Sequence, residues 1–331
     1  MDGFTISFAP MEGITGRIFR KVFDKHFKGV NDYYTPFITP KEKRGLDKKD
    51  IKELLPANNG GLRIVPQILT NSSEAFNLTA EKLMEMGYKE INLNLGCPSG
   101  TVVNKGRGSG ALKTLEMLRA LLFDIYTKAE TTGLKISIKT RIGYEDAGEF
   151  EKIISLYREF PVERLIIHPR TRMEFYKGNV HKESFALAVD EYLKDGMTDR
   201  LCYNGEINTA LDIGEIKREF PNINHMMIGR GLLRYPFLLE ADKDISDADK
   251  QIRIKAYLEE LFTAYLEEFN GGAPAVLKMK ELWYYIQESF EDYDSYVKNI
   301  RKSKGIAEYR SAVNVLLSNC KVRCKDKLAI N

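Results

Sequence analysis

Apolar and polar positions along this chain fall into two regimes. Up to about residue 231, short apolar runs of strand length alternate with longer stretches of helical period. The runs cover residues 5–9, 32–37, 64–69, 90–95, 135–140, 164–168, 200–204 and 225–229. Helical stretches lie between them, among others at 72–86, 112–131, 149–159 and 209–219. Strands separated by helices pair in parallel through crossovers. Eight such units predict closure into a (β/α)8 TIM barrel rather than an open sheet. Residues 242–250 are charged and read as a linker. Beyond them only helical periodicity remains, carried by Ile254, Leu258, Leu261 and Phe262, then by Leu282 and Ile286, then by Val313 and Leu316. Asn270-Gly271-Gly272-Ala273-Pro274 separates two of these helices. The pattern predicts a catalytic barrel over 1–241 and an all-helical bundle of about four helices over 242–331.

The ends of the predicted strands are polar. Pro10-Met11, Gln67, Asn94, Lys139, His168 and Asn204 all fall at or near C-terminal strand ends, where a barrel builds its active site. One such residue needs only a hydrogen-bond partner. Six strands ending this way favour a shared site. Asn204-Gly205-Glu206 and Gly229-Arg230-Gly231 follow the last two strands. Glycines there let backbone N–H groups approach an anion, and Arg230 adds charge, so the pair reads as a phosphate site. Ordinary glycine turns are the plainer alternative. A phosphate at this place, with Gln67 and Lys139 across the mouth, suits flavin mononucleotide. The alternative for Lys139 is an interior lysine paired with a carboxylate.

Cys97 lies just past the fourth strand in a Gly96–Pro98 turn, and the segment from Ser99 to Gly110 is glycine-rich enough to move. A thiol so placed serves as nucleophile, redox partner or general acid; inert packing is the bland reading. Cys202 falls inside a strand and reads as core. Cys320 and Cys324 are spaced one helical turn apart without evident partners for a zinc site. No metal is expected.

Composition changes this picture little. The 331 residues exceed one small domain, and the hydrophobic share of 43% permits a large core. No run approaches the roughly 20 apolar residues of a membrane span, and no secretory leader is evident. A cytoplasmic, membrane-free protein is expected, and four cysteines imply no disulfide framework. Net charge is only +3, but Lys298, Arg301, Lys302, Lys304, Arg310, Lys321, Arg323, Lys325 and Lys327 stand against Glu308 and Asp326 near the end. Charge alone leaves an RNA footprint and a solvated helix face equally open.

Several motifs together resemble the tRNA-dihydrouridine synthases. They are Ala9-Pro10-Met11-Glu12-Gly13-Ile14-Thr15, Asn94-Leu95-Gly96-Cys97-Pro98 with Gly106-Arg107-Gly108-Ser109-Gly110, Ile138-Lys139-Thr140-Arg141-Ile142-Gly143, His168-Pro169-Arg170-Thr171-Arg172, Tyr176-Lys177-Gly178, Asn204-Gly205-Glu206-Ile207 and Met227-Ile228-Gly229-Arg230-Gly231. The resemblance covers about the first 240 residues; it reaches the helical end in type only. It implies an FMN enzyme that takes electrons from NADPH and reduces a flipped-out uridine of tRNA. Hydride would reach C6 of uracil and Cys97 would protonate C5. Pro10, Met11, Gln67, Lys139, His168, Asn204, Gly205, Glu206, Gly229 and Arg230 would hold FMN. Asn94, Arg141 and Tyr176 would meet the uracil. From the basic cluster, Lys298 and Arg301 are the candidate RNA contacts. A monomer suits a bulky folded RNA. The rival readings are an FMN barrel acting on a free pyrimidine in the manner of dihydroorotate dehydrogenase, a synthase acting on ribosomal RNA, and a non-catalytic RNA-binding protein.

Overall fold

In the computed structural model, residues 4–41, 44–241 and 244–323 are described. Nine parallel strands make one sheet: β1 (Thr5–Phe8), β2 (Asp32–Tyr34), β3 (Ile64–Val65), β4 (Gln67–Ile68), β5 (Glu90–Leu95), β6 (Lys135–Arg141), β7 (Leu165–His168), β8 (Leu201–Tyr203) and β9 (His225–Ile228). Their spatial order is β3-β2-β1-β9-β8-β7-β6-β5-β4. The two ends of that order are neighbours in the chain. β3 and β4 flank Pro66, which has no N–H to give to a ladder. β3 pairs with β2 and β4 with β5, so the pair acts as one strand and the sheet closes on itself. The expected eight-stranded barrel is therefore present.

Contacts divide the chain into two compact units. The first holds Met1–Pro10, Asn31–Glu206 and Glu215–Ile228, and with them all the strands. Side chains alternate between the two faces of a strand, so the pairing register decides which of them meet inside. Ser7 opposes Asp32 and Met227, Asn92 opposes Gln67 and Ser137, Lys139 opposes Asn94 and Ile166, and Cys202 opposes Ile166. Mid-barrel these rows form an apolar layer of Ala9, Tyr34, Val65, Ile166, Cys202 and Met227. Cys202 is thus core, and its burial pushes the thiol up to about 12.

Below that layer the barrel is closed by charge. The Asp32 carboxylate is fully buried, 3.3 Å from Arg164 and 3.1 Å from Arg63. His225 lies 3.5 Å from Arg164, and burial with that neighbouring charge brings its imidazole down to about 4. Removing one member of a buried pair strands the other. Asp32→Ala is expected to cost about 3 kcal/mol or more, read as a lower urea midpoint at unchanged m-value. A loss below about 0.5 kcal/mol would place this cluster among surface pairs. Paired replacement of Asp32 and Arg164 by apolar residues should recover much of the loss.

The second unit holds Met11–Val30, Ile207–Gly214 and Gly229–Asn331. It contains α1 (Arg17–His26), α9 (Arg230–Arg234), α10 (Asp247–Phe269), α11 (Gly272–Ile286), α12 (Asp294–Lys302) and α13 (Ile306–Asn319); between α1 and α9 the chain forms α2 (Lys48–Leu54), α3 (Ser73–Glu85), α4 (Gly100–Val103), α5 (Leu115–Thr132), α6 (Phe150–Tyr157), α7 (Lys182–Leu193) and α8 (Ala210–Glu219). The helical end is as expected, with one correction at its start. α10 takes in residues read as linker, because the Ser246 side chain accepts from Asp249 N at 3.1 Å and Asp247 and Asp249 suit a first turn. Asn270, at φ +48°, ends that helix. Cys320 follows α13 in extended backbone. Cys324, Lys325, Asp326 and Lys327 lie outside the described residues. Among the described residues no helix is long and apolar enough to cross a membrane, and no cluster of three or more His, Cys, Asp or Glu side chains could hold a metal.

Candidate active site

A chain of amides crosses the upper barrel of the first unit. Asn92 Nδ2 donates to Ser137 Oγ at 3.0 Å, Gln67 Nε2 to Asn92 Oδ1 at 2.7 Å, and Asn94 Nδ2 to Gln67 Oε1 at 2.7 Å. Asn94 Oδ1 then accepts from the backbone of Gly96 at 3.0 Å and Cys97 at 2.9 Å. Each step satisfies a buried amide, which would otherwise be costly. The row ends by fixing the turn that carries the thiol.

The far side of that turn is fixed as well. Ser109 donates to the Cys97 carbonyl from both Oγ, at 2.9 Å, and N, at 3.1 Å. Arg141 Nε donates to Gly96 O at 3.0 Å, and its Nη1 to Thr171 O at 2.7 Å. Two of the glycines here serve close packing, which the sequence did not show. A Cβ on Gly108 would stand 2.7 Å from Cys97 O, and one on Gly110 2.6 Å from Val103 O. Gly108 also needs its φ of +55°. The segment Gly108–Lys113 is a tight 3-10 turn, so α5 (Leu115–Thr132) starts later than the apolar period implied. The Cys97 side chain is half-buried.

Lys139 lies one residue pair away, opposite Asn94 in the β5–β6 register. No carboxylate or other partner meets it among the described residues. Burial, with Arg141 adding like charge, brings its ammonium down to about 8. Arg141 itself is 1% exposed, and burial brings it down to about 10. Its guanidinium stands 5.3 Å from the Tyr176 ring centroid, and Tyr176 stacks on His168 with centroids 5.9 Å apart. Asn204 Nδ2 donates to Met227 O at 2.7 Å.

Arg170 is a residue that sequence reasoning quoted without giving it a task. It is 1% exposed and donates from Nη2 to Glu206 Oε2 at 2.7 Å and to Gly178 O at 2.8 Å. It aims Glu206 and anchors the loop bearing Tyr176. An arginine two residues past a strand-end histidine was the available signal. Asn92 was also missed, although Asn92 and Asn94 share strand parity.

The first unit therefore brings together Gln67, Asn94, Cys97, Lys139, Arg141, His168 and Tyr176, and also contains Pro10, Asn204, Gly205 and Glu206. Gly205 follows β8 where a Cβ would stand 2.2 Å from Tyr203 Oη. Met11, Gly229, Arg230, Lys298 and Arg301 belong to the second unit. There, Met11 N donates to Thr15 Oγ1 at 2.9 Å, and Gly231 packs where a Cβ would stand 2.0 Å from Ile207 O. On α12, Lys298 is exposed, and Arg301 donates to Gln287 Oε1 at 2.8 Å. Arg310 pairs with Glu259 at 2.6 Å.

The family model described as dihydrouridine synthase matches residues 7–326, barrel and helical end alike. The chain belongs to the dihydrouridine synthase family. It is 28% identical over 291 residues to a probable tRNA-dihydrouridine synthase 2 of Bacillus subtilis, covering 80% of this chain and 86% of that one. It is 30% identical over 242 residues to a probable tRNA-dihydrouridine synthase of Staphylococcus aureus, covering 71% and 70%. Among solved structures, that titled TcOYE with pHBA resembles it with a TM-score of 0.50 at 8% identity, over 71% of this chain and 87% of the other. That likeness concerns the barrel fold. The chain is an enzyme of the dihydrouridine synthase family.

Proposed function

We propose that this enzyme reduces a uridine of tRNA to 5,6-dihydrouridine, with FMN at the barrel mouth, NADPH as electron donor and Cys97 as the acid. The observation that carries the reading is a family match over residues 7–326 joined to a strand-end site in which the Cys97 turn is held from both sides. The donor set fits a flavin. Lys139 is an uncompensated cation at the mouth, and a buried charge without a partner calls for an anion. The likeness of the named relatives supports tRNA as the substrate.

FMN, when bound, supplies the hydride that adds to C6 of the uracil ring. The residues of this chain do the rest. Pro10, Gln67, Lys139, His168, Asn204, Gly205 and Glu206 hold the cofactor, and the family pattern adds Met11, Gly229 and Arg230. Lys139 would offset the negative charge that the cofactor brings to the site, and Arg170 keeps Glu206 aimed. Arg141 and Tyr176 hold the uracil; Asn94 spends its carbonyl on the Cys97 turn and keeps one amide hydrogen for the base. Reduction of the C5=C6 bond needs a proton at C5, and Cys97 Sγ–H donates it, to be reprotonated from solvent. Residues 1–241 carry this chemistry, and 242–331 carry RNA binding, with Lys298 and Arg301 as contacts. The protein acts as a cytoplasmic monomer.

Three substrates decide the matter: transfer-RNA transcripts, free uridine and dihydroorotate. The purified protein should be yellow and should form dihydrouridine only in the transcripts, with NADPH consumed in equal amount. Turnover of a free pyrimidine would instead make it a small-molecule flavoenzyme. A colourless, inactive protein would make it an RNA-binding protein.

A further inference from the structure

Beyond the Cys97 turn, the loops after β6 and β7 carry a second constellation. Their backbones are stitched together: Arg172 N donates to Gly143 O at 2.9 Å, and Met173 N to Tyr144 O at 3.1 Å. From the other side, the Glu149 carboxylate accepts from the backbone of Tyr144 at 2.8 Å and of Glu145 and Asp146 at 2.9 Å. The Tyr144 ring is thereby held in place. Lys113 Nζ stands 4.2 Å from its centroid, and the Arg172 guanidinium 5.4 Å. Arg172 also lies 5.0 Å from the centroid of Phe175, a residue held at φ +54° and 39% exposed. An aromatic residue in that backbone region is strained. Here the strain brings its ring under a cation.

These cations are ordered without being neutralised. A ring face attracts an ammonium or guanidinium while leaving its N–H groups free to donate. Two of the neighbouring carboxylates are committed, Glu149 to the three backbone groups above and Glu174 to His181 at 2.7 Å and Thr171 N at 2.6 Å, whereas Glu145 lines the groove beside Lys113. Neither Lys113 nor Arg172 meets a carboxylate among the described residues, and Arg172 Nε is buried with no acceptor. Lys113 closes the same 3-10 turn whose Ser109 holds the Cys97 carbonyl, so the cluster is built onto the reactive turn. A groove of about 660 Å³, whose charged lining is Lys113 and Lys152 with Glu145 and the backbone-bound Glu149, continues beside it.

We propose that Lys113 and Arg172, laid out by Tyr144 and Phe175, clamp the phosphodiester backbone of the RNA next to the target uridine. The inference rests on the reading of this chain as an RNA uridine reductase. Two spaced cations and a groove leading onward fit a strand that continues past the site, whereas the phosphate of a dinucleotide would need one compact cradle.

The test measures the affinity of the flavin-loaded enzyme for a tRNA transcript across a salt series, alongside KM for NADPH. Lys113→Gln and Arg172→Gln should each lower the slope of log affinity against log salt by about 0.7–0.9, and the double variant by about twice that. Arg172→Lys should keep the slope, since charge sets it, which separates the clamp from a folding defect. KM for NADPH should stay within about twofold. Unchanged slopes in the Gln variants overturn the clamp. So does a raised KM for NADPH with intact RNA binding, which would give these cations to the nucleotide cofactor. The two readings fail separately. A wild-type enzyme that makes no dihydrouridine in any transcript removes both, whereas an active wild type with unchanged variant slopes removes only the clamp.

Discussion

Cys97→Ala protein should retain its bound flavin and lose at least about 100-fold of its RNA reduction, the usual scale for a positioned general acid. The turn does not depend on the thiol. Its N–H is held by Asn94 and its carbonyl by Ser109, both through backbone atoms that alanine shares. What disappears is a proton donor at a fixed point. A single-turnover measurement with pre-reduced enzyme isolates that step from NADPH oxidation, which the substitution should leave nearly unaltered. Loss of flavin would mean that Cys97 supports the cofactor site. Full single-turnover activity would mean that solvent protonates C5. A slow second half-reaction with an intact first places Cys97 in the RNA step and rules out inert packing and a role in flavin reduction.

Replacing Lys139 should have opposite effects on stability and on cofactor binding. In the folded protein its ammonium titrates near 8 against 10.5 for a free lysine. At neutral pH, holding that proton therefore costs the fold on the order of 3 kcal/mol. The unfolded chain binds more protons than the folded one between these values. Stability of the flavin-free protein should accordingly rise with pH from about 8 to 10.5, and be least helped below 8. Lys139→Met should flatten that window and raise the urea midpoint of flavin-free protein, while weakening flavin binding by at least about tenfold, since one anchoring charge is gone. A variant that is no more stable than wild type, and holds flavin equally well, would show that Lys139 is already compensated. A lysine that costs stability in the free protein is one placed for a ligand.

How legible this was in sequence differs residue by residue. Strand period and the order of elements exposed the barrel, and polar residues at C-terminal strand ends marked Gln67, Asn94, Lys139 and His168. Those are local properties of alternating chains. The glycine turn singled out Cys97 and motif resemblance gave it the role of acid; the match over residues 7–326 bears out the family. The misreadings involve distance between segments. The close packing at Gly108 and Gly110 was not legible, because composition does not show that Cys97 O and Val103 O stand where their side chains would be. Arg170 gave no hint of a task, because its partners, Gly178 and Glu206, lie 8 and 36 positions along the chain. The charged stretch before α10 read as linker, because a Ser246 cap outweighs local polarity once the helix behind it has something to pack against.

That packing has a consequence for how such a protein diversifies. α1 lies early in the chain, yet it is joined to α10 by Lys25 with Glu260 at 2.8 Å, by Arg17 with Glu268, and by Phe23 and Phe27 against Tyr257. The helical end is therefore not a detachable cassette. A recombination event that exchanged residues beyond 241 for those of another lineage would leave the aromatic face of α1 without its counterpart. Change in the surface of the helical end is then confined to its solvent-facing positions, or must carry Met11–Val30 with it as an inherited pair.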